Sequence, residues 1–104
     1  MSFNLAQTIS GNVEVEVTVA PGISNNTAMT IANTHATDAV VVQLYIKDAT
    51  PTTFYIMKGT TIAFGDRLVL PANEINIDTS IYSLFIKLNN ADSGVDIITR
   101  HARL

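Results

Sequence analysis

Two histidines, His35 and His101, are the residues of this 104-residue chain best suited to acid–base or ligand chemistry. Imidazole changes charge near neutral pH, and either ring nitrogen can hold a metal or move a proton. Each would need a carboxylate brought to it by the fold. His35 follows an Asn33-Thr34 turn and His101 stands near the C-terminus, surroundings in which a histidine is ordinarily solvated. A second constellation, Asn90-x-Asp92-x-Gly94 with Asp96 beyond it, offers oxygen atoms of the kind calcium takes. It lacks the bidentate Glu and the full spacing of a calcium loop, and its composition is that of a polar turn. Asn25-Asn26-Thr27 matches a glycosylation acceptor, which matters only in a secretory pathway. Arg100-His101-Ala102-Arg103 is the single basic cluster, able to meet an acidic surface or simply to keep a terminus solvated.

Beyond these, the chain has no phosphate-binding glycine loop with Lys-Ser/Thr, no Gly-x-Ser-x-Gly elbow and no His-Glu-x-x-His. The absence of cysteine removes thiol nucleophiles, disulfides and zinc–thiolate sites, and suits folding in a reducing cytoplasm. The expectation is a non-enzymatic protein with no catalytic residue, no metal and no cofactor. A net charge of −3 gives no general attraction to phosphates, so nucleic acid is not expected as a partner. No stretch approaches the roughly 20 apolar residues of a membrane-spanning helix, and Met1 to Gln7 do not read as a signal peptide.

The elements that would position these residues are strands. Apolar residues make up 47% of the chain and charged ones 14%, while thirteen Thr and nine Asn supply a neutral polar surface that favours strands and turns. One domain is the natural division at this length. From Asn12 to Ala20 apolar and polar residues alternate, with Val13, Val15, Val17 and Val19 on one side. Pro21-Gly22 and Ser24-Asn25-Asn26 read as a turn before a run from Ala28 to Ala32. Ala39 to Lys47 reads as a central strand, with Val40, Val42, Leu44 and Ile46 inward. Short strands around Phe54, Ile56, Ile62 and Phe64 are interrupted near Gly59, and Pro71 ends a short strand from Arg67 to Leu70. Tyr82, Leu84, Ile86 and Leu88 face the core from another strand. Asn89 to Gly94 then reads as a hairpin loop leading to a last strand with Val95 and Ile97 inward. Asp38, Asp48, Asp66 and Asp78 fall at strand ends, as turn formers do.

About eight short strands point to an all-β antiparallel sandwich, immunoglobulin-like or jelly-roll-like, with a closed barrel as the nearest alternative. Residues 1–11 read as an N-terminal arm, 12–100 as the sandwich and 101–104 as a C-terminal tail. Val41, Tyr45, Tyr55, Met57, Ile81, Phe85 and Ile98 fall opposite the expected core, and contiguous apolar surface on a small domain marks a contact site.

Thr30-Ile-Ala-Asn-Thr34, Val40-Val-Val-Gln-Leu-Tyr-Ile-Lys-Asp48, Phe54-Tyr-Ile-Met-Lys58, Ile62 and Leu68-Val-Leu70 together resemble the small β-sandwich virion proteins of tailed bacteriophages, over roughly residues 28–88. The resemblance implies a structural protein of the virion that binds a repeating lattice, often as a trimer or about a symmetry axis. A capsid decoration or cement protein is the first expectation, and a neck, tail or baseplate component the next. A carbohydrate- or receptor-binding module is the reading from another class. The implied partners are a capsid or other virion protein and further copies of the chain, made in the host cytoplasm and carried in the virion. Phe3, Leu5, Val41, Tyr45, Tyr55 and Phe85 are the expected interface residues.

Overall fold

The computed structural model describes residues 2–17, 23–78 and 80–102, with side chains described for 6–17, 28–71, 78 and 80–100. Eight strands form two four-stranded antiparallel sheets. β1 (Ser2–Ser10), β8 (Gly94–Ala102), β3 (Ile23–Asn33) and β6 (Arg67–Asp78) make one sheet in that spatial order. β2 (Val15–Glu16), β7 (Ser83–Leu88), β4 (Val40–Lys47) and β5 (Thr53–Ile62) make the other. This order, in which most consecutive strands cross between sheets and only β4 and β5 form a hairpin within one, is that of a jelly roll.

Between the sheets lies the hydrophobic core. Ile9, Met29, Ile31, Val95 and Ile97 come from the first sheet, and Val40, Val42, Leu44, Ile62, Leu84, Ile86 and Leu88 from the second. The alternation that predicts β4, β7 and β8 places these residues as expected, because a strand with one buried face puts every second side chain inward. Leu44 and Ile86 are direct cross-strand partners and fully buried. Burial of side chains this size contributes roughly 1.5–3 kcal/mol each.

Several segments depart from the sequence pattern. Residues 2–10, expected as an arm, are β1, paired with β8 from Ser2↔Ala102 to Ser10↔Gly94; His101 and Ala102 of the expected tail complete β8. The continuous run from Asn12 reduces to the two residues of β2. Val13 is 63% exposed, Val17 is buried, and Val19 lies outside the described residues. Residues 11–14 form the crossing between the sheets, which Gly11 turns at a φ of 86°. β3 begins at Ile23, so Ser24-Asn25-Asn26 is strand with a register shift rather than turn. Pro71 does not end β6. It sits at the sheet edge, between the Met29↔Leu70 and Thr27↔Ile75 pairs, where the ladder is already irregular and no hydrogen bond depends on a proline N–H. Phe64 lies exposed in the β5–β6 turn. The Asn89–Ser93 loop carries the chain from one sheet to the other and is not a hairpin, a distinction that turn composition does not make.

The interruption near Gly59 is a bulge. Val42 pairs with Thr60 and Leu44 with Met57, so β5 spends one residue more than β4; a second surplus falls between Met57 and Tyr55. Each surplus residue reverses the alternation that follows. Met57 therefore packs against the core, whereas strict alternation puts it outside beside Tyr55.

Candidate functional site

The outer face of the β2-β7-β4-β5 sheet gathers the aromatic residues of the expected interface. Register sets them in one row across the strands, Glu16–Phe85–Tyr45–Tyr55. Tyr45 and Phe85 stack with ring centroids 6.0 Å apart, and Tyr45 meets Tyr55 at 5.4 Å in a tilted contact. Offset and tilted geometries of this kind suit aromatic quadrupoles. Tyr55 is 49% exposed and Phe85 half-buried, but Tyr45 is only 4% exposed. Tyr45 thus lies on the expected face without offering its ring to a partner. It is the floor on which Tyr55, Phe85 and Lys47 rest.

The β1–β2 crossing anchors this floor. Tyr45 OH donates to Glu14 Oε1, and Lys47 Nζ closes on the same oxygen at 2.6 Å while lying 5.1 Å from the Phe85 ring centroid. The hydrogen bonds from Lys47 and Tyr45 hold the Glu14 carboxyl below its ordinary range, and burial, followed by the hydrogen bond to Glu14, pushes the Tyr45 phenol up. Val41, also expected here, is half-buried, and its N–H donates to Asn89 Oδ1 at 3.0 Å. Phe54, Tyr55 and Ile56 give β5 three consecutive exposed apolar residues on a sheet edge. The backbones of Phe3 and Leu5 pair with His101 and Thr99, and their side chains lie outside the described residues. Ile98 is exposed, but on the outer face of the opposite sheet, and Ile81 is exposed in the β6–β7 turn.

The polar candidates sort differently. His35 Nδ1 accepts the backbone N–H groups of Thr37 at 3.1 Å and Asp38 at 3.0 Å, which commits its lone pair and places the ring proton on Nε2. Nε2 faces Asp92 Oδ2 at 3.5 Å and Asp38 Oδ2 at 3.9 Å, a trio close enough to be considered for a cation. A metal on Nε2 would require the proton on Nδ1, pointing at two N–H donors. The arrangement therefore fits a clasp between the β3–β4 and β7–β8 loops better than a metal site or a general base.

Asp96 accepts from Thr8 Oγ1 at 2.9 Å on the outside of the other sheet, so Asp92 and Asp96 do not converge as calcium ligands. Asp48 and Asp78 serve as turn formers. Asp48 Oδ1 accepts from Thr50 N–H at 3.0 Å and Thr52 N–H at 2.7 Å, and Asp78 Oδ1 from Ser80 N–H at 3.0 Å. The side chains of Asn25, Asn26, Thr27 and His101, and all of Arg103, lie outside the described residues.

One buried polar residue carries more than its turn composition indicates. Asn33 Nδ2 donates to Ile62 O at 3.0 Å and Asp38 O at 2.9 Å, and its Oδ1 accepts the His35 N–H at 2.9 Å. It ties the end of β3 to β5 and to the loop that holds His35. Its place in an Asn-Thr turn was the only sequence signal, and that signal does not reveal burial.

No family model matches the chain, and no curated protein matches it in sequence. Solved structures of similar fold include PirA, 15% identical with a TM-score of 0.54 over 95% of this chain and 93% of that one. The Drosophila NLP core, whose structure was described for pentamer formation and histone binding, is 9% identical with a TM-score of 0.56 over 99% and 98%. The VP2 subviral particle of infectious bursal disease virus aligns with 99% of this chain and 32% of that chain, at 12% identity and a TM-score of 0.46. At these identities the likeness to PirA and to the NLP core is one of fold.

Proposed function

We propose that the chain is a non-enzymatic structural subunit of a virus particle, a decoration or cement protein that binds the shell lattice and stabilises it. The observation that carries this reading is the outer face of β2-β7-β4-β5. There a rigid aromatic floor supports exposed Tyr55 and half-buried Phe85, beside the exposed Phe54-Tyr55-Ile56 run of edge strand β5. Aromatic side chains held in place by their neighbours lose little entropy on binding and are favoured as anchors at interfaces. The likeness in strand signatures to small phage virion proteins supports the location, and the neck, tail or baseplate is the alternative position for the same mechanism.

Self-association belongs to this reading. Copies set about a symmetry axis engage a repeating lattice at several points, so that weak contacts add through multivalency. The fold is compatible with such rings, since the Drosophila NLP core of similar fold was described in terms of pentamer formation. A trimer remains the expectation for this chain.

Labelling purified virions with an antibody to the chain, imaged by electron microscopy, tests the assignment. Label over the head is the expected result. Label confined to the neck or tail moves the role to that site, and particles without label overturn it.

A further inference from the structure

The three lysines of the chain, Lys47, Lys58 and Lys87, all stand on the outer face of the β2-β7-β4-β5 sheet, on β4, β5 and β7. In a chain of net charge −3 this is an uneven distribution, and local charge steers partners more than net charge does. Lys47 is neutralised by Glu14. Lys58 and Lys87 make no ion pair among the described residues. Lys58 Nζ lies 5.5 Å from the ring centroid of exposed Tyr55, so cation and aromatic surface are presented together.

Lys87 opens onto a shallow cavity of about 330 Å³ lined also by Asn12, Val41, Gln43, Leu88 and Asn89. None of the six is a carboxylate. Asn89 Oδ1 is taken by the Val41 N–H at 3.0 Å and approached by the Ser93 hydroxyl at 3.4 Å, which leaves the amide NH₂ as the group to be satisfied from outside. Half-buried Val41 adds aliphatic surface. The cavity sets the Lys87 ammonium and the Asn89 amide donors in a mainly polar lining, and what complements those two groups is an acceptor bearing negative charge.

We infer that this face binds an acidic, aromatic-bearing segment of the shell protein. One carboxylate is drawn to Lys87 and the Asn89 amide in the cavity, another to Lys58, and apolar side chains lie against Tyr55 and Phe85. The identity of the partner rests on the decoration reading; the chemistry of the segment does not. A second copy docking the same face on itself about a two-fold axis would bring lysines against lysines. Nucleic acid asks for a continuous track of cations to meet successive phosphates, whereas this face has two lysines, Lys58 and Lys87, without an ion pair among the described residues.

Two measurements test this. In co-sedimentation with purified particles lacking the chain, Lys58→Glu with Lys87→Glu is expected to weaken binding at least about tenfold, and Lys58→Arg with Lys87→Arg to preserve it. Wild-type binding is expected to weaken as salt rises from about 0.05 M to about 0.5 M. Wild type that binds with no response to charge reversal or salt overturns the inference and leaves the decoration reading standing. Wild type that does not bind at all overturns the decoration reading instead.

The second measurement is independent of particles. Amide NMR shifts are followed as a glutamate–tyrosine copolymer is added, with a lysine–tyrosine copolymer as the control. Shifts confined to Gln43, Tyr55, Lys58, Phe85, Lys87 and Asn89, produced by the acidic polymer alone, are expected. No shifts, shifts on the β1-β8-β3-β6 face, or equal shifts with both polymers overturn the inference. A neutral oligosaccharide that shifts the same residues more strongly than the acidic polymer makes the cavity a glycan site and overturns it as well.

Discussion

The phenol of Tyr45 donates to Glu14 Oε1 at 2.5 Å across 31 positions of sequence, and Lys47 Nζ meets the same oxygen at 2.6 Å. One carboxylate oxygen thus fixes the β1–β2 crossing to the middle of β4. The Tyr45 ring is buried and the Glu14 carboxylate partly solvated, so the bond is charge-assisted but screened on one side. Tyr45→Phe keeps the stacked ring and removes only the hydroxyl. It is expected to cost about 1 kcal/mol, a fall in Tm of about 4–8 °C. A double-mutant cycle with Glu14→Gln checks that the loss belongs to the pair, since coupled residues give a non-additive sum.

Stability is expected to form a plateau between about pH 5 and pH 10. On the acid side, Glu14 is lowered from 4.5 chiefly by the hydrogen bond from Lys47, then that from Tyr45. Asp48 is lowered from 3.8 first by the Thr50 hydroxyl and Asp78 from 3.8 first by the Ser80 hydroxyl. Each folded-state pKa lies below its unfolded value, so the unfolded chain takes up protons first as pH falls. The stability is present above the ordinary values and is lost as pH falls through the lowered ones. On the alkaline side, Tyr45 is raised above 10.0, first by burial and then by the hydrogen bond to Glu14. The unfolded chain releases that proton first, so the contribution is full below the ordinary value and lost as pH rises through the raised one. Calorimetric Tm against pH is expected to fall at both ends. Asp48→Asn and Asp78→Asn should flatten the acid limb and Tyr45→Phe the alkaline one; limbs that superpose with wild type would sink the assignment.

Tyr55 and Met57 are two positions apart in sequence yet lie on opposite faces of the sheet. Met57→Ser is therefore expected to destabilise the protein by about 2 kcal/mol or more, through lost burial and a polar group placed against the core. Tyr55→Ser is expected to stay within roughly 1 kcal/mol of wild type. Chemical denaturation of the two variants decides the matter, and equal losses would contradict the bulged register.

That pair shows where the sequence is legible and where it is not. Val40, Val42 and Leu44, Leu84, Ile86 and Leu88, and Val95 and Ile97 alternate without interruption in their strands, and the buried face follows from period two alone. Bulges are only half legible: Gly59 marks the one between Met57 and Thr60, whereas the surplus residue at Ile56 looks like any other strand residue, yet reverses every side chain beyond it. The jelly-roll order was equally hidden, since Asn89–Ser93 has the same composition whether it turns within a sheet or crosses between sheets. At the candidate surface, the face of Tyr45, Tyr55 and Phe85 was readable. The cover over Tyr45 was not, because Glu14 and Lys47 reach it only once β2 and β4 belong to one sheet.

Asn33 provides the strongest test of the polar framework. Its side chain is 6% exposed and makes three hydrogen bonds to main-chain groups of Ile62, Asp38 and His35, while its own N–H donates to Asp66 O at 3.0 Å. Asn33→Ala removes the partners of one amide and two carbonyls in a poorly solvated place and is expected to cost about 2–3 kcal/mol. Asn33→Asp retains the acceptor for the His35 N–H but turns an oxygen toward the carbonyls of Ile62 and Asp38. The charge repels both and has lost its counter-dipoles, so Asn33→Asp is expected to be less stable than Asn33→Ala at neutral pH despite its closer shape. Acidification toward about pH 4 should narrow the gap, because a protonated carboxyl can donate to one carbonyl. Urea midpoints of the two variants at neutral and acid pH check this. An Asp variant as stable as wild type at neutral pH would mean that the Asn33 amide does not bridge β3 and β5.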